Sequence, residues 1–134
     1  MNEHSGRIEI GSEDDILRAR HAARKVAEDI GLGMTDTTRI VTAVSELARN
    51  IYLYAGEGTM EWEPIPERNR NGLTFVFRDD GPGIADPNGA LKGEHSTSNG
   101  MGRGLSGTQT LMDDMEIETE VGEGTIITIR KWGQ

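Results

Sequence analysis

Two glycine-rich stretches organise this sequence: residues 78–84, Arg-Asp-Asp-Gly-Pro-Gly-Ile, and residues 100–107, Gly-Met-Gly-Arg-Gly-Leu-Ser-Gly. Glycine has no Cβ and readily adopts positive φ, so both loops can turn sharply and present backbone N–H groups to a ligand. The first stretch places a carboxylate, Asp79, at the end of a predicted strand. The second leads into a helix predicted to begin at Leu105, whose unpaired N–H groups and positive dipole end favour phosphate. Together the two stretches predict a nucleotide site.

Three better-known glycine motifs do not explain the second stretch. Residues 102–107 spell G-x-G-x-x-G, but the dinucleotide fingerprint requires a strand directly before it, and residues 86–101 are polar and glycine-rich. The sequence has no V-A-I-K, H-R-D or D-F-G segment of the common protein kinases, and no G-x-x-x-x-G-K-[ST] of a P-loop. These three classes of nucleotide site are therefore excluded.

Length and composition predict one cytoplasmic domain spanning residues 1–134. The chain has no cysteine, which excludes disulfides and thiolate metal sites, and no apolar run of signal-peptide or membrane-spanning type. Its formal net charge is -9, from 14 basic and 23 acidic side chains. Since nucleic acids and anionic membranes bind through Lys and Arg, we expect neither as a partner.

Hydrophobic spacing and turn residues predict the secondary structure. We expect an amphipathic helix capped by Ser12 and a second helix that begins at Thr35 or Asp36 and ends at Gly56. Pro64 and Pro66 are expected to fall outside the central ladder of the sheet. The predicted strands are residues 7–10, 59–63, 73–77, 115–121 and 125–132, and residues 86–103 form a long loop of the kind that closes over ligands.

Glu46 and Asn50 stand four residues apart on the second predicted helix, and hence on one face of it. That face is rotated by roughly 110° from the apolar stripe, which is a position suited to lining a cleft. A solvated helix surface explains either residue alone. Beside a phosphate loop, however, a carboxylate and a neutral oxygen ligand one turn apart make chemical sense. Thr125, directly after the last predicted turn, is a third candidate for a ligand contact.

Taken in order, four motifs of this chain resemble the boxes of the GHKL ATP-binding superfamily. They are Glu46 to Asn50, Asp79 to Gly83, Gly100 to Gly104, and Gly122 to Thr125. Within the superfamily, the chain's size and its run from Ser45 to Gly56 resemble the RsbT switch kinases more than the anti-sigma factors RsbW and SpoIIAB. The resemblance implies a two-layer α/β sandwich with a mixed, mostly antiparallel sheet and helices on one face.

The resemblance also implies roles for particular residues. Asp79 accepts a hydrogen bond from the adenine amino group with Thr125 near it, Asn50 ligates Mg²⁺, and Glu46 is the general base. The loop before Leu105 closes over the phosphates, with Arg103 as a candidate to reach them. The residues implied to bind ATP are Asn50, Asp79, Gly81, Gly83, Ile84, Ser98, Gly100, Met101, Gly102, Arg103, Gly104, Leu105 and Thr125.

The function implied by the resemblance is transfer of phosphate from ATP to serine or threonine. The implied substrates are STAS-domain proteins of a stress-sensing scaffold, and the implied second partner is a metal-dependent serine phosphatase activated by direct contact. Two alternatives remain open: an anti-sigma factor of the same fold that sequesters a sigma subunit, and a non-catalytic module that uses ATP only to order its lid.

Overall fold

A computed structural model describes residues 4–66, 70–91 and 105–133 of the chain. Ser98 and the predicted phosphate-loop residues 100–104 lie outside these ranges. The described elements are β1 Gly6–Ile10, α1 Glu13–Asp29, α2 Met34–Asn50, a π-helical turn Ile51–Ala55, β2 Gly58–Pro66, β3 Asn71–Asp79, α3 Pro87–Leu91, α4 Leu105–Leu111, β4 Asp114–Glu120 and β5 Gly124–Trp132.

The five strands form one sheet in the order β1-β2-β3-β5-β4. Each pairing between the described strands is antiparallel. The predicted two-layer sandwich with a mostly antiparallel sheet is therefore confirmed, and the described strands contain no parallel component. This order places β3 and β5 next to each other inside the sheet, where Asp79 pairs with Thr125.

Alternation along the strands directs one face of the sheet toward α1 and α2. Phe75 and Phe77 on β3 and Ile129 on β5 are buried on this face, as is the apolar stripe of the second helix, which consists of Ile40, Val44 and Leu47 of α2 and Ile51 of the π-helical turn. The opposite face carries charged side chains, including an ion pair of 3.2 Å between Arg78 Nε and Glu61 Oε1. In the described part of the chain, α1 and α2 consequently cover the same face of the sheet.

The first helix begins as its sequence predicts. Ser12 has an extended backbone, and its hydroxyl accepts from the backbone N–H of Asp15 at 3.3 Å. The Asp15 carboxylate accepts in return from the N–H of Gly11 at 2.9 Å. This reciprocal pair satisfies two donors at the helix start.

The predicted start of α2 at Thr35 or Asp36 is wrong, because the cap residue is Gly33. Asp36 is instead buried within the first turn, with its Oδ1 at 3.8 Å from the ammonium nitrogen of Lys131 on β5. The same ammonium lies 3.4 Å from Asp113 Oδ1. The carboxylate of Asp36, which local spacing assigned to a helix cap, thus forms a long-range ion pair with Lys131.

The expectation that Pro64 and Pro66 fall outside the ladder is also wrong. Both belong to β2 and stand opposite Leu73 and Asn71 of β3. β1 pairs with β2 only as far as Trp62. Residues beyond Trp62 have a strand on one side alone, and proline is tolerated there because its missing N–H faces no partner.

The helices of the fold are too short or too polar to cross a bilayer. Within the described residues, none combines the length and the apolar composition that such a crossing needs.

Candidate nucleotide site

Asp79 ends β3 with its carboxylate held by the backbone around it. Oδ1 accepts from the N–H of Gly81 at 2.9 Å, and the N–H of Thr125 also bonds to this carboxylate. Burial raises the pKa of Asp79, and the negative charge of Asp80 adds to the rise, while the two N–H groups oppose it. The result is a half-buried hydrogen-bond acceptor fixed in one orientation.

The loop after Asp79 packs against the turn between β4 and β5. Gly83 has φ 77°, and a Cβ at this position would collide with the carbonyl oxygen of Glu120. The N–H of Gly122 donates to Pro82 O at 2.8 Å. The positive φ of Gly83 and its close approach to Glu120 O both favour a residue without a Cβ, and Gly122 makes the backbone hydrogen bond that joins the two segments.

The C-terminal end of α2 reaches the same place through the π-helical turn. The N–H of Gly56 bonds to Ile51 O at 2.8 Å, five residues back, and Gly56 ends the turn with φ 86°. A Cβ on Gly81 would lie 2.6 Å from the Cβ of Ala55. The turn thus packs against the glycine loop, as π-helical insertions often do at functional sites.

A residue that the sequence analysis missed, Thr119 on β4, links these parts. Its hydroxyl accepts from the N–H of Ile84 at 2.9 Å and donates to Gly124 O at 3.0 Å. The same oxygen lies 3.0 Å from Thr125 Oγ1. Alternation places Thr119 on the helix-facing side of β4, but only the strand register sets it opposite Thr125.

A single cavity gathers most of the predicted binding residues among the described part of the chain. Asn50 and Asp79, from elements far apart in sequence, both line it. The full lining consists of Asn50, Ile51, Tyr54, Ala55, Asp79, Pro82, Gly83, Ile84, Leu105 and Thr125. Asn50 of α2, Asp79 at the end of β3 and Leu105 at the start of α4 therefore line one cavity.

Glu46 lies one helical turn from Asn50 and does not line this cavity. Its Oε1 accepts from Arg49 Nη1 at 3.2 Å. The two side chains are 39% and 46% exposed, which marks the pair as a surface contact. The structure thus brings Asn50 together with Asp79 and leaves Glu46, the predicted base, outside the cavity lining and paired with Arg49.

The sequence of this chain matches a known family of ATP-binding domains. The chain matches the histidine kinase-like ATPase domain over residues 12–131. It belongs to this family. This histidine kinase-like ATPase is 46% identical over 132 residues, 98% of each chain, to the serine/threonine-protein kinase RsbT of Bacillus subtilis (strain 168). It is 28% identical over 118 residues, or 85% of this chain and 82% of its relative, to an anti-sigma F factor of Thermoanaerobacter sp. (strain X514).

Solved structures agree on the fold of this ATPase domain. The RsbU and RsbW domains of Rv1364c from Mycobacterium tuberculosis superpose with a TM-score of 0.60 at 14% identity, over 94% of this chain and 32% of that longer one. The mycobacterial sensor histidine kinase MprB superposes with a TM-score of 0.58 at 18% identity, over 96% and 97% of the two chains. At these identities the likeness concerns the fold alone. The predicted GHKL membership of the RsbT kinase type is confirmed by the sequence matches.

The donor set of this ATPase domain suits a nucleotide-bound Mg²⁺ better than a metal held by protein alone. Among the described residues no group of three or more His, Cys, Asp or Glu side chains is placed to hold a metal. Mg²⁺ bound with a nucleotide keeps most of its waters and takes one or two protein oxygens. Asn50, whose side-chain amide carries a neutral oxygen and which lines the cavity together with Asp79, fits such a site.

Proposed function

We propose that this chain transfers the γ-phosphate of ATP to a serine or threonine of STAS-domain regulatory proteins and activates a partner serine phosphatase by direct binding. A setting in the cytoplasm is part of the same proposal. The observation that carries it is the shared cavity of Asn50, Asp79 and Thr125 in a chain 46% identical to a serine/threonine-protein kinase. The substrates and the phosphatase rest on the RsbT resemblance.

The base of the nucleotide is assigned to the Asp79 end of the cavity. The Asp79 carboxylate already receives the Gly81 and Thr125 N–H groups, and carboxylate oxygens have further lone pairs to accept a bond from an amino group. Gly83 and Ile84 supply a wall of backbone and apolar surface for a flat ring. This end of the cavity therefore suits adenine.

The phosphate end is assigned to Asn50 and the segment that precedes α4. Mg²⁺ held by the Asn50 oxygen would neutralise phosphate charge, the part of phosphoryl transfer that depends most on electrostatics. Leu105, the first residue of α4, lines the cavity, and the residues predicted to bind phosphate precede it directly in the sequence. Those residues, Ser98 and 100–104, keep their predicted role in binding phosphate.

Glu46 is proposed to take the proton of the acceptor hydroxyl. Its ion pair with Arg49 is half-exposed, and such pairs contribute only about 0.2–1 kcal/mol. Freeing the carboxylate for a hydroxyl placed beside Asn50 therefore costs little. A positioned general base accelerates transfer by about 10²–10⁴-fold.

An anti-sigma function is the second candidate, because the anti-sigma F factor shares 28% identity with most of this chain. The higher identity to RsbT over nearly the full length favours the kinase. A non-catalytic ATP module is the third candidate. The carboxylate of Glu46, one turn from Asn50, argues against it, since binding alone does not require a base.

The deciding experiment measures radiolabelled phosphate transfer from ATP to a co-purified partner. Glu46→Ala is the control and is expected to bind ATP by calorimetry while losing transfer. A pull-down with sigma factors runs in parallel. Stable capture of a sigma factor with no transfer would overturn the kinase proposal in favour of sequestration.

A further inference from the structure

The hydroxyl groups of Thr119 and Thr125 form a chain whose direction is set by chemistry. Gly124 O is a carbonyl and can only accept, so the bond of 3.0 Å between it and Thr119 uses the Thr119 proton. A hydroxyl has one proton and two lone pairs. The Ile84 N–H occupies one lone pair of Thr119 at 2.9 Å. The second lone pair faces Thr125 Oγ1 at 3.0 Å.

With its own proton committed to Gly124, Thr119 can only accept from Thr125. The proton of Thr125 therefore points at Thr119. Thr125 Oγ1 then has two lone pairs and no proton left for a ligand. Since Thr125 lines the cavity, its hydroxyl can act there only as an acceptor. Asp79, its direct partner across the β3–β5 ladder, presents a carboxylate and is an acceptor as well.

We infer that Thr119 is a specificity-determining residue: it fixes Thr125 as an acceptor and so makes this end of the cavity select a purine with an amino group at C6 over one with a carbonyl. The inference rests on the proposed function for placing the base at this end. An amino group offers two N–H donors to two acceptors. A 6-oxo purine instead places its carbonyl oxygen, a third acceptor, opposite Asp79 and Thr125. Burying an acceptor without a donor costs free energy of binding.

Thr119 acts through Thr125 and through the Ile84 backbone, and is therefore a positioning residue. Removing its hydroxyl frees Thr125 to rotate and donate to a 6-oxo group. The Asp79 carboxylate still opposes that group, so the preference for adenine falls without vanishing. The expected change is about tenfold, the size of one net hydrogen bond.

The test measures binding of ATP and of inosine triphosphate to the full chain by calorimetry. These nucleotides differ at C6 and in the N1 proton. Thr119→Val, which keeps the shape of the side chain, is expected to lower the ratio of ATP to inosine triphosphate affinity about tenfold. Thr119→Ser keeps the hydroxyl and is expected to keep the ratio. Thr128→Val is the matched control, since Thr128 lies on the face of β5 away from the helices, opposite Val76.

Equal loss of affinity for both nucleotides in Thr119→Val would overturn the inference, because it would reduce the hydroxyl to a packing role. Should that variant fail to fold, Thr119→Ala removes the same hydroxyl, and an unchanged ratio there overturns the inference equally. Wild-type protein that binds both nucleotides alike also overturns it. Protein that binds ATP selectively but transfers no phosphate would overturn the kinase proposal and not this inference.

Discussion

The N–H of Gly122 donates a hydrogen bond of 2.8 Å to the carbonyl oxygen of Pro82. This contact joins the turn between β4 and β5 to the glycine loop after Asp79, and the neighbouring Gly83 passes so close to Glu120 O that no Cβ fits between them. The glycine loop is therefore shaped by a turn about forty residues away in the chain. Packing against this turn, and not a ligand alone, can therefore require a glycine at position 83.

Gly83→Ala is expected to destabilise the fold more than Gly122→Ala. Both glycines have positive φ, at 77° and 84°, so both substitutions incur the backbone penalty of about 1–2 kcal/mol. Only Gly83 adds a clash with the Glu120 carbonyl, whereas nothing lies within 4 Å of a Cβ at Gly122. Urea unfolding measures both variants. Equal losses would contradict a steric role for the Glu120 carbonyl.

ATP affinity is expected to fall on acidification, starting at a pH above the usual range for an aspartate. The proposed bond from an adenine amino group is stronger to the ionised Asp79 carboxylate than to its protonated form, and burial raises the pKa of this carboxyl. The effect of Asp79 on the free energy of unfolding without ligand has the opposite sign. Its protonation stabilises the fold fully below the ordinary pKa of an aspartate, and this stabilisation is lost as the pH rises through the raised pKa of the folded state. Calorimetry across pH checks the affinity.

Asp79→Asn is the control for this pH dependence. It is expected to bind ATP weakly at every pH, because the amide is uncharged and replaces one of the two acceptor oxygens with an NH2 donor. If the Asp79→Asn affinity matches that of wild type, the assignment of Asp79 to adenine is wrong.

Lys131→Met is expected to lower the free energy of unfolding by about 3 kcal/mol, because it leaves the buried Asp36 carboxylate without its cation. The double variant Asp36→Leu with Lys131→Met is expected to recover most of this loss, since it also removes the unpaired charge. Urea unfolding compares the three proteins. ATP affinity should not change, because Lys131 lies six positions from Thr125 along β5, a distance of about 20 Å. A double variant with a lower free energy of unfolding than Lys131→Met would contradict this explanation.

Glu46→Gln is expected to reduce phosphate transfer by about 10²–10⁴-fold with ATP affinity preserved. Arg49→Ala removes the cation paired with Glu46 and is expected to change stability by less than about 1 kcal/mol while keeping most of the transfer. Single-turnover assays of both variants separate the base from its neighbour. Comparable loss in Arg49→Ala would show that the ion pair, rather than the carboxylate alone, is required.

Local patterns predicted the five strands and the long helices but not all of their ends, and they missed α3, whose residues Pro87–Leu91 lie within the predicted loop 86–103. Ser12 capped α1 as expected because the capping bonds join residues three and four apart. Asp36 satisfied the same local rule and was nevertheless drawn into a pair with Lys131, 95 residues further along. Pro64 lies within β2 and still leaves no ladder partner unsatisfied, because β1 does not pair with β2 at this position. The extent of the β1 pairing, which the local sequence does not show, decides where a proline fits.

By itself the sequence determined which segments form the five strands and helices α1, α2 and α4, and which family the chain belongs to, and it predicted that Asn50, Asp79 and Thr125 lie together, as they do in the lining of one cavity. These follow from short-range spacing and motif order. Only the tertiary structure decided that Ala55 packs against Gly81, that Glu46 turns to Arg49, and that Thr119 orients Thr125. The physical reason is that such contacts depend on strand register and side-chain direction, which arise when distant segments pack together and leave no periodic mark in the chain.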